Sequence, residues 1–154
     1  MNYEQFMLPV IIANLLAIVV MLLSYNFPRF MRLIWGLIFI AAGIVNLITV
    51  VNAPGIYVDS FGPAAMDFYK DIIYGPFSKH PGVYVAAISG GQILVGALIW
   101  SRGFWYYLGL IGGFVFLLAI APLGAGSAFP STVFLAIGLI FMMRKRRRKS
   151  IFGF

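Results

Sequence analysis

The sequence contains no cysteine and a single histidine, His80. Without thiols a chain cannot build structural disulfides, iron–sulfur clusters, thiolate metal sites or a covalent haem attachment. One imidazole supplies neither a pair of axial haem ligands nor a multi-histidine cage, so no metal site and no resident cofactor is expected from these residues alone. Charge is scarce too: 10% of residues are charged, against about 25% in an ordinary soluble domain.

What replaces charge is hydrocarbon. The hydrophobic fraction is 62% and the mean hydropathy is +1.00. A small domain leaves much of its surface exposed, and in water that surface would here be mostly Leu, Ile, Phe and Val. Lipid removes the problem. The length of 154 residues allows one domain, residues 1–154, and no linker rich in Ser, Pro or charge divides it.

Five apolar runs are long enough, at about 1.5 Å per residue, to be read as crossings of roughly 30 Å of hydrocarbon. They are approximately Phe6 to Tyr25, Leu33 to Val51, Val83 to Ser101, Phe104 to Ala121 and Phe129 to Met143. The last is short and is expected to borrow a turn from Arg144 and Lys145 by snorkelling. The first lacks a basic leader and a small-residue cleavage pattern, so it is expected to remain in the mature protein as a span. The predicted fold class is all-α, a polytopic transmembrane helical bundle.

Basic residues set the orientation, because Lys and Arg are retained on the cytoplasmic side. Arg29, Arg32, Arg102 and the run Arg144 to Lys149 fall in the same set of connections, nine of the eleven basic residues. The other set holds Lys70 and Lys79 together with every acidic residue: Glu4, Asp59, Asp67 and Asp71. The expected localisation is the cell membrane, multi-pass, with the N-terminus outside and the C-terminus cytoplasmic. Six of the basic residues form one run directly after an apolar segment, which reads as a membrane flank and speaks against a nucleic-acid partner despite the net charge of +7.

One connection is long, residues 52–82, and loops of that length carry structure or a function of their own. Pro63 suits a helix start and Gly75-Pro76 its end. Ala65, Phe68, Tyr69 and Ile72 recur at helical spacing, with Asp67, Lys70, Asp71 and Tyr74 opposite, which predicts a short amphipathic helix on the outer surface.

The spans so drawn contain no Asp, Glu, Lys, Arg or His, which argues against a pump or an ion-coupled carrier. Their neutral polar residues are Asn14, Asn46, Thr49, Ser89 and Gln92. Such side chains join helices by hydrogen bonds or face a ligand; Asn46 and Gln92 are the ligand-facing candidates. Ala87 with Gly91, and Gly109 with Gly113, with Gly90 and Gly112 beside them, predict close helix packing. The segment Ala121 to Ser131 is rich in Gly and Pro, and its backbone N–H groups, with the start of the last helix, could hold an anionic or carbonyl-bearing headgroup. Gly124, Gly126 and Ser127 are its candidates, against a reverse turn that needs those residues for geometry alone. Asp67, Asp71 and His80 are candidates for acid and base chemistry if the fold gathers them, against a solvated helix face.

Gly36 through Asn46, Gly91-Gln92 with Gly96, and Ala121-Pro122 with Gly124, Gly126 and Phe129-Pro130 together resemble the DoxX-like group of small bacterial and archaeal membrane proteins. The resemblance covers about Arg32 to Met143 as a four-helix unit and leaves the first span as an addition. It implies a compact bundle, with some relatives serving as membrane subunits in quinone-linked sulfur oxidation, and it carries over no catalytic residue.

Three functions fit these features. The leading one is a non-catalytic accessory subunit whose bundle binds lipid, a quinone or the helices of a membrane-protein partner or a second copy. The alternatives are a membrane enzyme or redox subunit acting on a lipophilic substrate, and a channel or carrier.

Overall fold

The computed structural model describes the backbone of residues 3–145 and the side chains of residues 7–144. The basic positions Arg146 to Lys149 lie outside the described residues. Seven helices are formed in that range: α1 Tyr3–Asn26, α2 Pro28–Asn52, α3 Ile56–Phe61, α4 Asp67–Ile72, α5 Pro81–Trp100, α6 Phe104–Ile120 and α7 Ser131–Lys145. The helical stretches Met7–Asn26, Pro28–Asn52, Pro81–Trp100 and Phe104–Ser127 are each 20 residues or longer and apolar enough to cross a membrane. The chain is a multi-pass membrane protein built as an all-α bundle.

Local chemistry sets the boundaries. Pro28 and Pro81 occupy first helical positions of α2 and α5, where a missing N–H costs nothing and a fixed φ favours the helix. One residue, Phe27, separates α1 from α2, so these helices form a tight hairpin. Gly103 at φ 59 turns the chain from α5 into α6, a conformation open to glycine without steric penalty. Helix α2 begins five residues before the apolar run does, which draws Arg32 out of the loop and into the helix.

The helices pack in the order α2, α5, α6, α7, α1. The buried core is drawn from four of them: Met31, Trp35 and Phe39 of α2, Ile99 of α5, Tyr106, Leu110 and Leu117 of α6, and Ala136, Leu139 and Met142 of α7. Helix α1 lies outside this core against α7, burying Ala17 and Ser24. The Trp35 indole N–H donates to Ser24 Oγ at 2.9 Å, and the Ser24 hydroxyl donates to Val20 O at 2.7 Å, which ties α1 to α2.

Between helices already in lipid there is little hydrophobic drive, so close backbone approach supplies the packing. On α2, a Cβ placed on Gly43 would stand 2.7 Å from Ser89 O, and one on Gly96 of α5 would stand 2.7 Å from Gly36 O. Gly109 faces the backbone of Leu98 and Ile99, and Gly113 faces the rings and methyls of Phe39 and Leu139, as the α6 spacing predicts. The α5 pair behaves differently. Gly90 and Gly91 have open space where a side chain would be, and Ser89, Gln92 and Gly96 form the contact face instead.

Charge divides the bundle lengthwise. Arg29, Arg32, Arg102 and Arg144 belong to the end formed by the α1–α2 and α5–α6 turns and the last turn of α7, the arginine end. Asp59, Asp67, Lys70, Asp71, Lys79 and His80 belong to the opposite end, the cap end. Helix α7 has 15 residues, a rise of ~22 Å at the standard pitch, and runs through Lys145.

Candidate functional site

The loop after α2 folds as a cap in more pieces than its periodicity predicts. Helix α3 is followed by a 3-10 turn over Gly62–Ala64, and Pro63 opens that turn rather than α4. Ala65 and Met66 then adopt extended backbone, with ψ 154 and 151. This break frees the Met66 N–H to donate to Pro122 O at 2.9 Å. The short loop helix is present as α4, but its exposed side includes Phe68 and Ile72 while Ala65 and Ile73 turn inward. Gly75 and Pro76 sit in a kinked turn over Ile73–Phe77, where the sequence predicts the helix to end.

Cap and linker lock together. The Tyr69 hydroxyl donates to Ala119 O at 2.5 Å. Gly124 has φ 63, and a Cβ there would stand 2.3 Å from Ala64 O. Gly126 lies against Phe61, where a Cβ would be 2.7 Å from the ring. The Ser127 hydroxyl donates to Gly124 O at 3.0 Å, and the Ala128 and Phe129 N–H groups donate back to Ala125 O and Gly124 O. Gly124, Gly126 and Ser127 thus serve the closure between the two loops, and their side of the linker is filled by residues 60–64.

Beneath the cap lies a small apolar cluster of Val50, Tyr57 and Val85, flanked by Phe61 and Phe77. Asn46 and Gln92 meet beside it. Asn46 Nδ2 donates to Gln92 Oε1 at 2.8 Å, and the buried Tyr57 hydroxyl donates to Asn46 Oδ1 at 3.0 Å and to Asn46 O at 3.2 Å. Three elements, α2, α3 and α5, are joined by this relay. Its direction is consistent from end to end: Tyr57 gives to Asn46, Asn46 gives to Gln92, and the Gln92 amide nitrogen is left as the terminal donor. Gln92 is 5% exposed, and its Nε2 donates to no acceptor among the described residues, yet it is not a sealed orphan.

The acid–base candidates stay apart from this relay. Asp67 is exposed and paired with Lys70 at 3.0 Å within α4. Asp71 is exposed on the same helix, and His80 is exposed at the residue preceding α5. Among the described residues no three His, Asp or Glu side chains gather as a metal would require.

Two polar features escape a reading of the sequence. Arg32 is 7% exposed, and its guanidinium closes the end of α5: Nε donates to Ile99 O at 2.8 Å, and Nη2 donates to Trp100 O at 2.7 Å and to Ser101 O. Its carbon centre lies 4.9 Å from the Tyr106 ring centroid. A cation at a helix C-terminus answers the partial negative charge of the last carbonyls. The second is Thr132, buried in the first turn of α7. Its neighbours along the chain are apolar or small, so nothing local marks it.

Compared with models of known families, with curated proteins and with solved structures, the chain matches none.

Proposed function

We propose that this protein is a non-catalytic accessory subunit of a membrane complex, and that it binds the carbonyl group of a quinone or an ester lipid at the Asn46–Gln92 relay. The reading is supported by one observation, the relay that ends on a free amide donor. A terminal N–H group in a mostly apolar surrounding is stabilised by an acceptor, and quinones and acyl esters both present a carbonyl oxygen with no competing charge. The cap end faces outside in this reading, because the arginine end is the one retained in the cytoplasm. The ligand then lies in the outer half of the bilayer.

The packing favours binding over transport. Aromatic and aliphatic side chains of four helices fill the bundle centre, with Phe39, Gly113 and Leu139 in mutual contact.

Native mass spectrometry of the purified protein tests the proposal. The intact protein is expected to retain a quinone or ester lipid, and Gln92→Leu, which keeps bulk and removes the donor, is expected to lose it. A wild-type protein that carries no lipid, quinone or subunit, or a Gln92→Leu variant that retains the same molecule equally, would refute the assignment.

A further inference from the structure

Two turns meet at the arginine end, the α1–α2 turn at Phe27 and the α5–α6 turn at Gly103. Arg32 of α2 donates to Ile99 O, Trp100 O and Ser101 O, and the Trp100 indole N–H donates to Leu33 O at 3.2 Å. These bonds hold the start of α2 against the end of α5, so the two turns stand side by side. Each turn carries one exposed arginine beyond that contact. Arg29 lies three residues before Arg32, on the same face of α2 and ~4.5 Å nearer the helix end. Arg102 directly follows Ser101.

Exposed rings flank both arginines: Phe27 and Phe30 beside Arg29, and Trp100, Phe104 and Trp105 beside Arg102. Rings of this kind gather at the level of lipid headgroups, which puts the guanidinium groups at the level of the phosphates. The charge here is of one sign. All four acidic residues of the chain, Glu4, Asp59, Asp67 and Asp71, belong to the cap end, so no acidic side chain neutralises the pair.

We infer that the two adjoining turns form a docking surface for the phosphate of anionic phospholipids, with Arg29 and Arg102 as its cations. A guanidinium presents a planar fork of donors that matches phosphate oxygens. A zwitterionic headgroup also brings a phosphate, but its ammonium would enter a region with two arginines and no carboxylate. An anionic headgroup carries a phosphate whose charge is unanswered within the lipid itself. An acidic soluble protein could meet these arginines only by displacing headgroups from between the rings, so the ring positions favour lipid. Arg32 is engaged by the α5 carbonyls and serves to position the turns.

Native mass spectrometry of the full chain, released from mixed micelles that hold phosphatidylglycerol and phosphatidylcholine in equal amounts, is the test. Wild type is expected to retain phosphatidylglycerol preferentially. A basic residue near an anionic surface strengthens association ~5-fold, so Arg29→Gln with Arg102→Gln should lower that preference at least ~5-fold. Lys70→Gln with Lys79→Gln removes the same charge from the cap end and should leave the preference unchanged. Wild type alone supplies a further measurement: roughly tenfold more ammonium acetate should weaken the preference by screening. A wild type without preference, a preference indifferent to salt, or an arginine-pair variant that keeps the wild-type preference overturns the inference. An equal loss from the lysine pair overturns it too, because net charge would then be the cause. Displacement of phosphatidylglycerol by millimolar inorganic phosphate would identify a soluble-phosphate site, and a dimer that excludes the lipid would assign the turns to a second copy; either result refutes a lipid surface.

Discussion

Replacing Arg32 tests whether a buried cation holds the arginine end together. Arg32→Met keeps an apolar stem of similar reach, which preserves the packing of the side-chain methylenes. It removes the donors to Ile99 O, Trp100 O and Ser101 O and the contact with Tyr106. Hydrogen bonds to charged groups are each worth about 1.5–3 kcal/mol, a cation over an aromatic face about 0.5–2 kcal/mol, and the cation at a helix end about 0.3–1 kcal/mol. These effects share one side chain and do not add. The expected net loss is about 2–3 kcal/mol, the cost of leaving buried carbonyls without their charged donor. Arg32→Lys retains the charge but cannot fork across consecutive carbonyls, so about half the loss is expected. Equilibrium unfolding in mixed micelles measures both. If Arg32→Met falls within about 1 kcal/mol of wild type, the guanidinium is a surface charge that the bundle does not use. If Arg32→Lys equals wild type while Arg32→Met does not, charge alone matters and the geometric argument fails.

Gly124→Ala should open the closure between cap and linker, because φ 63 disfavours a side chain and the new methyl meets Ala64 O; a loss of at least ~2 kcal/mol is expected from backbone strain and clash together. Hydrogen exchange at the Met66 amide reads this directly, and unchanged protection would show the contact to be incidental. Gly96→Leu should unfold the α2–α5 contact, since Gly36 O lies where its side chain must go. Gly91→Leu on the open side of the same helix should leave Tm at or above wild type, helped by higher helix propensity. Equal effects from the two substitutions would mean that α5 is turned differently.

The bundle was legible because helices in lipid declare themselves by length and hydropathy alone. Helix ends were less so: α2 starts at Pro28, not at the first uncharged residue, because Arg32 can be buried once the α5 carbonyls are there to receive it. That partner is 67 residues away along the chain, beyond any local pattern. The same limit explains α5, where Ala87 with Gly91 and Ser89 with Gly96 are equally small and only the tertiary fold selects the second. In the cap, the spacing of Ala65, Phe68, Tyr69 and Ile72 described a helix that the chain breaks at Met66 to reach Pro122. Asn46 and Gln92 stood out as polar residues in apolar spans, and the structure makes them partners of each other, with Tyr57 donating to Asn46. Thr132 carried no such signal, since a lone Thr near a helix start is commonplace.

The brevity of α7 has a consequence for the surrounding bilayer. A 15-residue rod falls ~8 Å short of the ~30 Å oily layer, while its neighbour α1 runs on past it. A bilayer in which α7 crosses the whole hydrocarbon layer would have to thin, or the helix draw on the reach of Arg144, at a cost of fractions of a kcal/mol per ångström of mismatch. A thinner membrane would impose less of that deformation on a bundle with so short a helix at its edge.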